Sequence, residues 1–179
     1  MYKSIIFILL IGITIGCEKS NSDPSPPSNP IVFQMDYINQ AWGFVHSGWF
    51  MDNEGYIYSY DLDETDNWAM ILNGNIHEDS IQLNFNYSTL SDSVEIDSLQ
   101  FHHNLSMQLF GDSLSPPETI IADAGIQNFY AYKYNSSCSC YESVVVKRYG
   151  DIIQTNTNPN AEQIYNWMKN IVVIFWFEL

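Results

Sequence analysis

The sequence predicts an α+β domain built on an antiparallel sheet. Strand-like stretches follow one another through turn signals, whereas a parallel sheet would alternate strands with helices. Only two or three short segments combine helical spacing with capping residues. No internal repeat of roughly 20 to 50 residues is visible, which argues against a repeat array. We therefore expect residues 31–179 to form one domain behind two N-terminal segments, 1–16 and 17–30.

The first part of the domain is read as strands and one hairpin. The turn cluster Asp52–Gly55 ends in glycine between aromatic and β-branched runs, which is typical of a hairpin. Tyr56, Tyr58 and Tyr60 alternate with other residues, so they share one face of their strand. The predicted extended segments are Ile31–Ile38, Trp42–Gly48 (irregular), Trp49–Met51 and Tyr56–Tyr60, followed by a charged loop at Asp61–Asn67.

The central segments favour two helices. Residues 75–87 are ambiguous, because their apolar residues alternate as in a strand, while Asn75 and Glu78 have the spacing of a capping box. We favour a helix there. A second helix is predicted from Ser98 to Phe110, with Asp97 as its cap and Gly111 and the following prolines ending it.

The C-terminal third predicts a three-strand meander, a helix and a last strand. Gly150-Asp151 fits a two-residue turn between the second and third strands. Asn160 and Gln163 have capping-box spacing, and four apolar residues follow at helical intervals. The predicted segments are strands Gly125–Tyr134, Tyr141–Tyr149 and Ile152–Thr155, a helix bearing Ile164, Trp167, Met168 and Ile171, and a buried strand Val172–Phe177.

The N-terminal segment has the order of an export signal. Lys3 precedes an apolar run from Ile5 to Ile15, and Gly16 stands directly before Cys17. The run is too short for a transmembrane helix, which needs about 20 apolar residues. The ending Thr14-Ile-Gly-Cys17 resembles the lipobox of bacterial lipoproteins, including those of Bacteroidota, although the family usually has leucine in place of Thr14. The resemblance implies cleavage after Gly16 and diacylglycerol on Cys17; a plain secretory signal is the alternative.

Residues 17–30 are predicted to form a lipid-anchored, disordered spacer. Apart from its prolines the segment after Cys17 has no apolar residue, so it cannot bury enough surface to become ordered. A proline-rich spacer of this length reaches roughly 40 Å. We expect attachment to the outer membrane through the N-terminal lipid, with the periplasmic or surface face left open.

The charge excludes one class of partner. Without Lys3, five basic residues stand against 21 acidic ones, a net charge of −16. Nucleic-acid binding requires a basic surface, so no nucleic acid is expected as a partner. An acidic chain of this kind stays soluble by self-repulsion or meets cations and basic partners.

Two cysteines remain if Cys17 is lipidated. Cys138 and Cys140 are separated by one residue, and in an oxidising compartment they could form a strained disulfide, an intermolecular bridge, or remain free thiols. Two thiols make a poor metal site, and the four histidines show no spacing that would complete one. The acidic loop 61–67 fails the EF-hand pattern, because Asp66 and Leu72 stand where glycine and glutamate are required. We therefore predict no metal and no cofactor.

An aromatic segment suggests a glycan site. Gly48-Trp49-Phe50, Asp52 and Gly55-Tyr56-x-Tyr58 resemble one unit of the choline-binding repeat of cell-wall-binding proteins, which binds between adjacent copies. The alternative is a hairpin whose aromatic residues pair across the strands. The candidate ligand-binding aromatics are Trp42, Trp49, Tyr56 and Tyr58.

The sequence thus predicts a non-enzymatic envelope lipoprotein with a binding, interaction or structural role toward a glycan or a protein. The alternative is a thiol-dependent or hydrolytic enzyme using Cys138, Cys140 and a histidine. No catalytic residue is assigned, because spacing alone places no histidine beside the cysteines.

Overall fold

The computed structural model describes residues 31–69, 71, 74–120 and 123–176, with side chains described as far as Ile171. Within these residues the predicted α+β class is confirmed, with a large antiparallel sheet and three α-helices. The elements are β1 Ile31–Asn39, β2 Val45–Asp52, β3 Tyr56–Leu62, β4 Asn75–His77, α1 Glu78–Asn86, β5 Thr89–Ser93, α2 Ile96–Ser106, a 3₁₀ turn Met107–Leu109, β6 Glu118–Thr119, β7 Ile126–Asn135, β8 Cys140–Gly150, β9 Ile152–Thr155 and α3 Ala161–Trp176.

The sheet is assembled from two hairpin systems that meet at its centre. Its strand order is β5-β3-β2-β1-β7-β8-β9-β6, and every pairing between these strands is antiparallel. The junction between β1 and β7 joins residues almost a hundred positions apart. β8 carries two short strands along its outer edge: β4 pairs with its beginning and β9 with its end.

Both faces of the sheet are covered. On one face, α2 and α3 pack against a core that includes Phe33, Trp49 and Phe129. On the other, α1 and the segment after β3 cover a second core, which includes Phe50 and Tyr132. This arrangement explains why the central strands are apolar at successive positions, because neither face is open to solvent. Among the helices of the described part, none is long and apolar enough to span a bilayer.

The predicted meander at residues 125–155 is confirmed as β7, β8 and β9. The helix favoured over residues 75–87 is also present, but its start was predicted wrongly. Residues 75–77 are extended because they pair with β8, and the cap of α1 is His77 instead of Asn75. The His77 imidazole accepts a hydrogen bond from the backbone N–H of Asp79.

The second and third helices depart from prediction at their ends. α2 begins at Ile96, and its cap is Glu95 without a side-chain hydrogen bond, so Asp97 lies inside the first turn. Residues 107–109 tighten into the 3₁₀ turn. α3 begins at Ala161, directly after the predicted cap Asn160, whose carbonyl accepts from the Ile164 N–H and whose side-chain amide donates to the Gln108 side chain.

The predicted strand Val172–Phe177 is wrong. α3 continues through Trp176, and Phe177 lies outside the described residues. The physical reason is that no glycine or proline follows Ile171, so nothing interrupts a helix that is already formed. A short apolar run has no periodicity that separates a buried strand from a buried helix.

Candidate functional site

The four predicted ligand-binding aromatics do not share one surface. Trp49 is 2 % exposed and belongs to the core under α2 and α3. Tyr58 lies on the opposite face of the sheet, stacked on Phe50 with ring centroids 5.3 Å apart. Trp42 is 85 % exposed in the loop between β1 and β2, and Tyr56 is exposed at the start of β3, after the opposite end of β2. The segment is therefore a packed hairpin, and in this arrangement Trp49 offers no face to a glycan.

A buried polar cluster lies on the face covered by α1. Asp36 Oδ1 accepts hydrogen bonds from the Tyr60 hydroxyl and from the Gln34 amide, the latter at 2.9 Å. His46 Nε2 lies 3.3 Å from the same oxygen. The Tyr132 hydroxyl donates to the side-chain oxygen Oε1 of Gln34. These side chains satisfy one another, as buried polar groups must.

The environment of this cluster raises the pKa of its tyrosines. Burial raises the pKa of Tyr60 and Tyr132 well above the ordinary value, and the nearby charge of Asp36 adds to the effect. Burial, with a smaller contribution from Asp36, also raises the pKa of Tyr130 to about 12. The phenol groups of Tyr60 and Tyr132 therefore remain neutral donors.

Gly48 makes room for the Tyr60 hydroxyl. A Cβ atom at this position would lie 2.0 Å from the Met35 carbonyl oxygen and 2.7 Å from the hydroxyl itself. Trp68 covers the cluster from outside, with its ring 4.2 Å from that of Tyr60. Because the cluster is buried and internally satisfied, its role is to fix β1, β2, β3 and β7 in register.

A recess of about 160 Å³ lies at the end of the sheet where β7 begins and β8 ends. Its sheet side is a row of three residues directly opposite one another, Tyr37 on β1, Gln127 on β7 and Tyr149 on β8. Ile153 on β9 and Ile120 after β6 complete the apolar lining. Tyr149 and Ile120 are each about half exposed, so the rim is an apolar surface open to solvent.

The wall of this recess is held by hydrogen bonds. The Tyr37 hydroxyl donates to the Ala124 carbonyl at 3.1 Å, and the Ala124 N–H donates to the Asp151 carboxylate at 2.7 Å. The Asp151 carbonyl accepts from the Ile120 N–H at 3.2 Å. These bonds join β1, the segment before β7 and the β8–β9 turn, and so hold the lining of the recess in place.

Two glycines shape the floor of the recess. Gly125 and Gly150 have φ values of 74° and 134°, which side-chain-bearing residues rarely adopt. A Cβ at Gly150 would lie 2.1 Å from the Gly125 carbonyl oxygen. The acidic residues Glu118, Asp123 and Asp151 lie on the strand, loop and turn that form the recess. The site therefore combines an apolar cavity with negative charge in the segments around it.

The cysteines lie at the opposite end of the β7–β8 hairpin. Cys138 and Cys140 are bonded to each other, with Cα atoms 5.2 Å apart. β4 brings His77 directly opposite Cys140. Sequence spacing alone could not have placed His77 beside the cysteines, because it is carried by β4, a strand of only three residues that pairs with β8. The other histidines lie elsewhere: His46 belongs to the buried cluster, and His102 and His103 lie on α2.

Sequence patterns gave only partial signals for these sites. The polar residues of β1, Gln34 and Asp36, interrupt an otherwise apolar strand, which indicates a buried polar cluster. The recess had no such signal, because its residues come from β1, β7, β8, β9 and the segment after β6. Within the described residues, no group of three or more histidine, cysteine, aspartate or glutamate side chains could hold a metal.

Comparison with protein-family models, with curated proteins and with solved structures found no match. The fold and the sites define the chain as an α+β protein with a preformed apolar recess at one end of its sheet and a disulfide near the other.

Proposed function

We propose that this protein is a lipid-anchored envelope lipoprotein whose domain binds a protein partner through the recess. The anchor is supported by the signal-like segment ending at Cys17 and by the proline-rich spacer after it. The single observation that carries the binding proposal is the preformed apolar cavity with a half-exposed aromatic rim. A concave apolar pocket with a few polar groups is the usual form of a ligand-binding site.

The size and lining of the cavity favour a protein ligand. Sites that enclose a whole small molecule usually measure about 300–1,000 Å³. A recess of about 160 Å³ holds one apolar or aromatic side chain of a larger ligand. A glycan would require several polar groups around Tyr37 and Tyr149. The row of residues on the sheet supplies one side-chain amide between these tyrosines, that of Gln127.

The charge of this protein indicates which residues of the partner stand beside the apolar side chain that enters the recess. Two of the basic residues are paired with carboxylates, Lys133 with Glu142 and Lys147 with Glu162, whereas Arg148 keeps its charge and hydrogen-bonds to the neutral Gln154 amide. The segments that form the recess contribute Glu118, Asp123 and Asp151. A partner segment carrying lysine or arginine beside its apolar residue is therefore favoured, because opposite charges speed the encounter of the two surfaces.

Site-specific photo-crosslinking in the native cells tests this proposal. A photoreactive phenylalanine analogue replaces Tyr149, and a matched control carries it at Phe101, which is equally exposed but lies on α2. We expect a discrete protein adduct from position 149 that disappears when Ile120→Asp is added. Equal labelling from both positions, or an adduct that contains glycan and no protein, would refute the proposed partner class.

A further inference from the structure

The hairpin tip between β7 and β8 carries a disulfide whose two cysteines differ in exposure. Cys138 is exposed, whereas Cys140 is 7 % exposed at the start of β8. Ser139 between them has φ 48°, in the left-handed region that a serine rarely occupies. A thiol arriving from solvent therefore meets the sulfur of Cys138 first.

Stabilising the hairpin is a weak explanation for this bond. A disulfide stabilises a fold mainly by restricting the unfolded chain, and the effect grows with the length of the closed loop. The loop here contains one intervening residue. The β7–β8 ladder already runs along the whole hairpin to the pair Asn135 and Cys140. The bond therefore adds little to the stability of the fold, and a role in thiol–disulfide chemistry explains it better.

The first turn of α1 lies against this loop. The Glu78 N–H donates to the Ser139 carbonyl at 2.9 Å, and His77 stands directly opposite Cys140. Directly opposed residues in an antiparallel pair have Cβ atoms about 4.5–5.5 Å apart on one face of the sheet. His77 is therefore the ionisable residue that the β4–β8 register places beside the less exposed cysteine.

The hydrogen bonds of His77 fix where its proton is carried. Nδ1 accepts from the Asp79 N–H at 3.3 Å, so the neutral ring carries its hydrogen on Nε2. Glu78 and Asp79 are acidic, and Glu142 is paired with Lys133 and Asn135. Because nearby carboxylates disfavour another negative charge, a thiolate released at Cys140 requires a proton. In its protonated form, with Nδ1 at 3.6 Å from an Asp79 carboxylate oxygen, the His77 imidazolium is positioned to supply one and becomes a neutral imidazole.

We propose that the Cys138–Cys140 disulfide exchanges with the cysteine thiols of a second envelope protein. The partner thiolate attacks Sγ of Cys138, the bond to Cys140 breaks, and Cys140 leaves with the electron pair and takes up a proton. A mixed disulfide then joins Cys138 to the partner. A second partner thiolate attacks the partner sulfur of that bond, and Cys138 leaves as a thiolate that is protonated by water. The partner dithiol is thereby oxidised to a disulfide, and Cys138 and Cys140 are reduced to thiols.

The chemistry is tested on the full-length acylated protein in detergent. Reduced glutathione at neutral pH is added to the folded protein, and the thiol content is followed by mass after acid quenching. We expect reduction while the protein stays folded. A disulfide that survives, or that is reduced only at the rate of global unfolding, would overturn the proposal. His77→Asn, whose side chain can still cap α1 by accepting from the Asp79 N–H, is expected to slow the reduction without a large fall in melting temperature; an unchanged rate would remove His77 from the step.

Two single variants form a matched pair. Cys140→Ser leaves the exposed thiol of Cys138, and Cys138→Ser leaves the less exposed thiol of Cys140. With oxidised glutathione, Cys140→Ser should form its adduct at least about tenfold faster, because thiol reactivity depends on access. In cells, Cys140→Ser should accumulate a thiol-reversible adduct with another protein. Equal rates, or no cellular adduct above the Cys138→Ser level, would contradict the proposal.

The double variant separates chemistry from stability. If the bond is an exchange site, Cys138→Ser with Cys140→Ser should melt at nearly the temperature of the native protein, because the closed loop is so short. A large drop in melting temperature would show that the bond is a structural staple and would contradict the proposal. The recess at the other end of the hairpin should bind its partner equally well in this variant.

Discussion

Replacing Tyr60 with phenylalanine removes one hydroxyl from the buried polar cluster and leaves the ring in place. That hydroxyl donates to Asp36 and lies in a setting where water cannot replace it, since Tyr60 is 5 % exposed. Losing a hydrogen bond to a charged group costs about 1.5–3 kcal/mol. For a chain of this size the free-energy loss corresponds to a fall of about 3–12 °C in melting temperature.

The matched control is Tyr134→Phe. The Tyr134 hydroxyl also donates to a carboxylate, that of Glu78, at 2.7 Å, but Tyr134 is 44 % exposed. When the hydroxyl is removed, water can hydrogen-bond to the Glu78 carboxylate in its place, so the melting temperature should stay unchanged. Calorimetry or circular dichroism of the two variants provides the test. The account of a buried, mutually satisfied cluster is wrong if Tyr60→Phe has the melting temperature of the native protein. It is also wrong if the two variants lose the same amount of stability.

Three further predictions concern the packing and the titration of the core. Gly48→Ala should destabilise the fold by about 3 kcal/mol or more, because its Cβ would lie 2.0 Å from a backbone oxygen; soluble yield and chemical denaturation report it, and native-like stability would refute the close approach. Ile164→Ala should cost about 2–5 kcal/mol, whereas Trp42→Ala should change stability by less than about 0.5 kcal/mol; similar effects of the two would contradict the assigned burial. Because burial raises the pKa of Tyr130 to about 12, the unfolded chain loses this proton first as the pH rises above 10, so stability should fall between pH 10 and about 12. Phenolate absorbance recorded beside unfolding measures this, and a constant stability across that interval would refute it.

The sequence allowed the local parts of the fold to be predicted. Turn residues between adjacent strands identified the hairpin around Asp52–Gly55 and the meander of β7, β8 and β9. Strands that depend on distant partners could not be found in this way. β5 has the polar sequence Thr-Leu-Ser-Asp-Ser and is extended because it pairs with β3. β4 is extended because it pairs with β8.

The candidate sites were likewise predictable only where neighbouring residues define them. The polar residues inside β1 were visible in the sequence, but their partners Tyr60 and Tyr132 come from β3 and β7. The recess depends on the order of strands in the sheet, which brings Tyr37, Gln127 and Tyr149 into one row. The choline-repeat resemblance concerned a hairpin whose Trp49 is required by the core. Pattern alone does not distinguish an aromatic ring that packs from one that binds.

The proposed role in the envelope depends first on the lipid. The most direct measurement is the mass of the N-terminal peptide from protein extracted from membranes, compared with a Cys17→Ser variant. The account predicts a native chain that begins at Cys17 and carries diacylglycerol, and a variant that is neither acylated nor held on the membrane. An unmodified cysteine, or a chain that still begins at Met1, would contradict it.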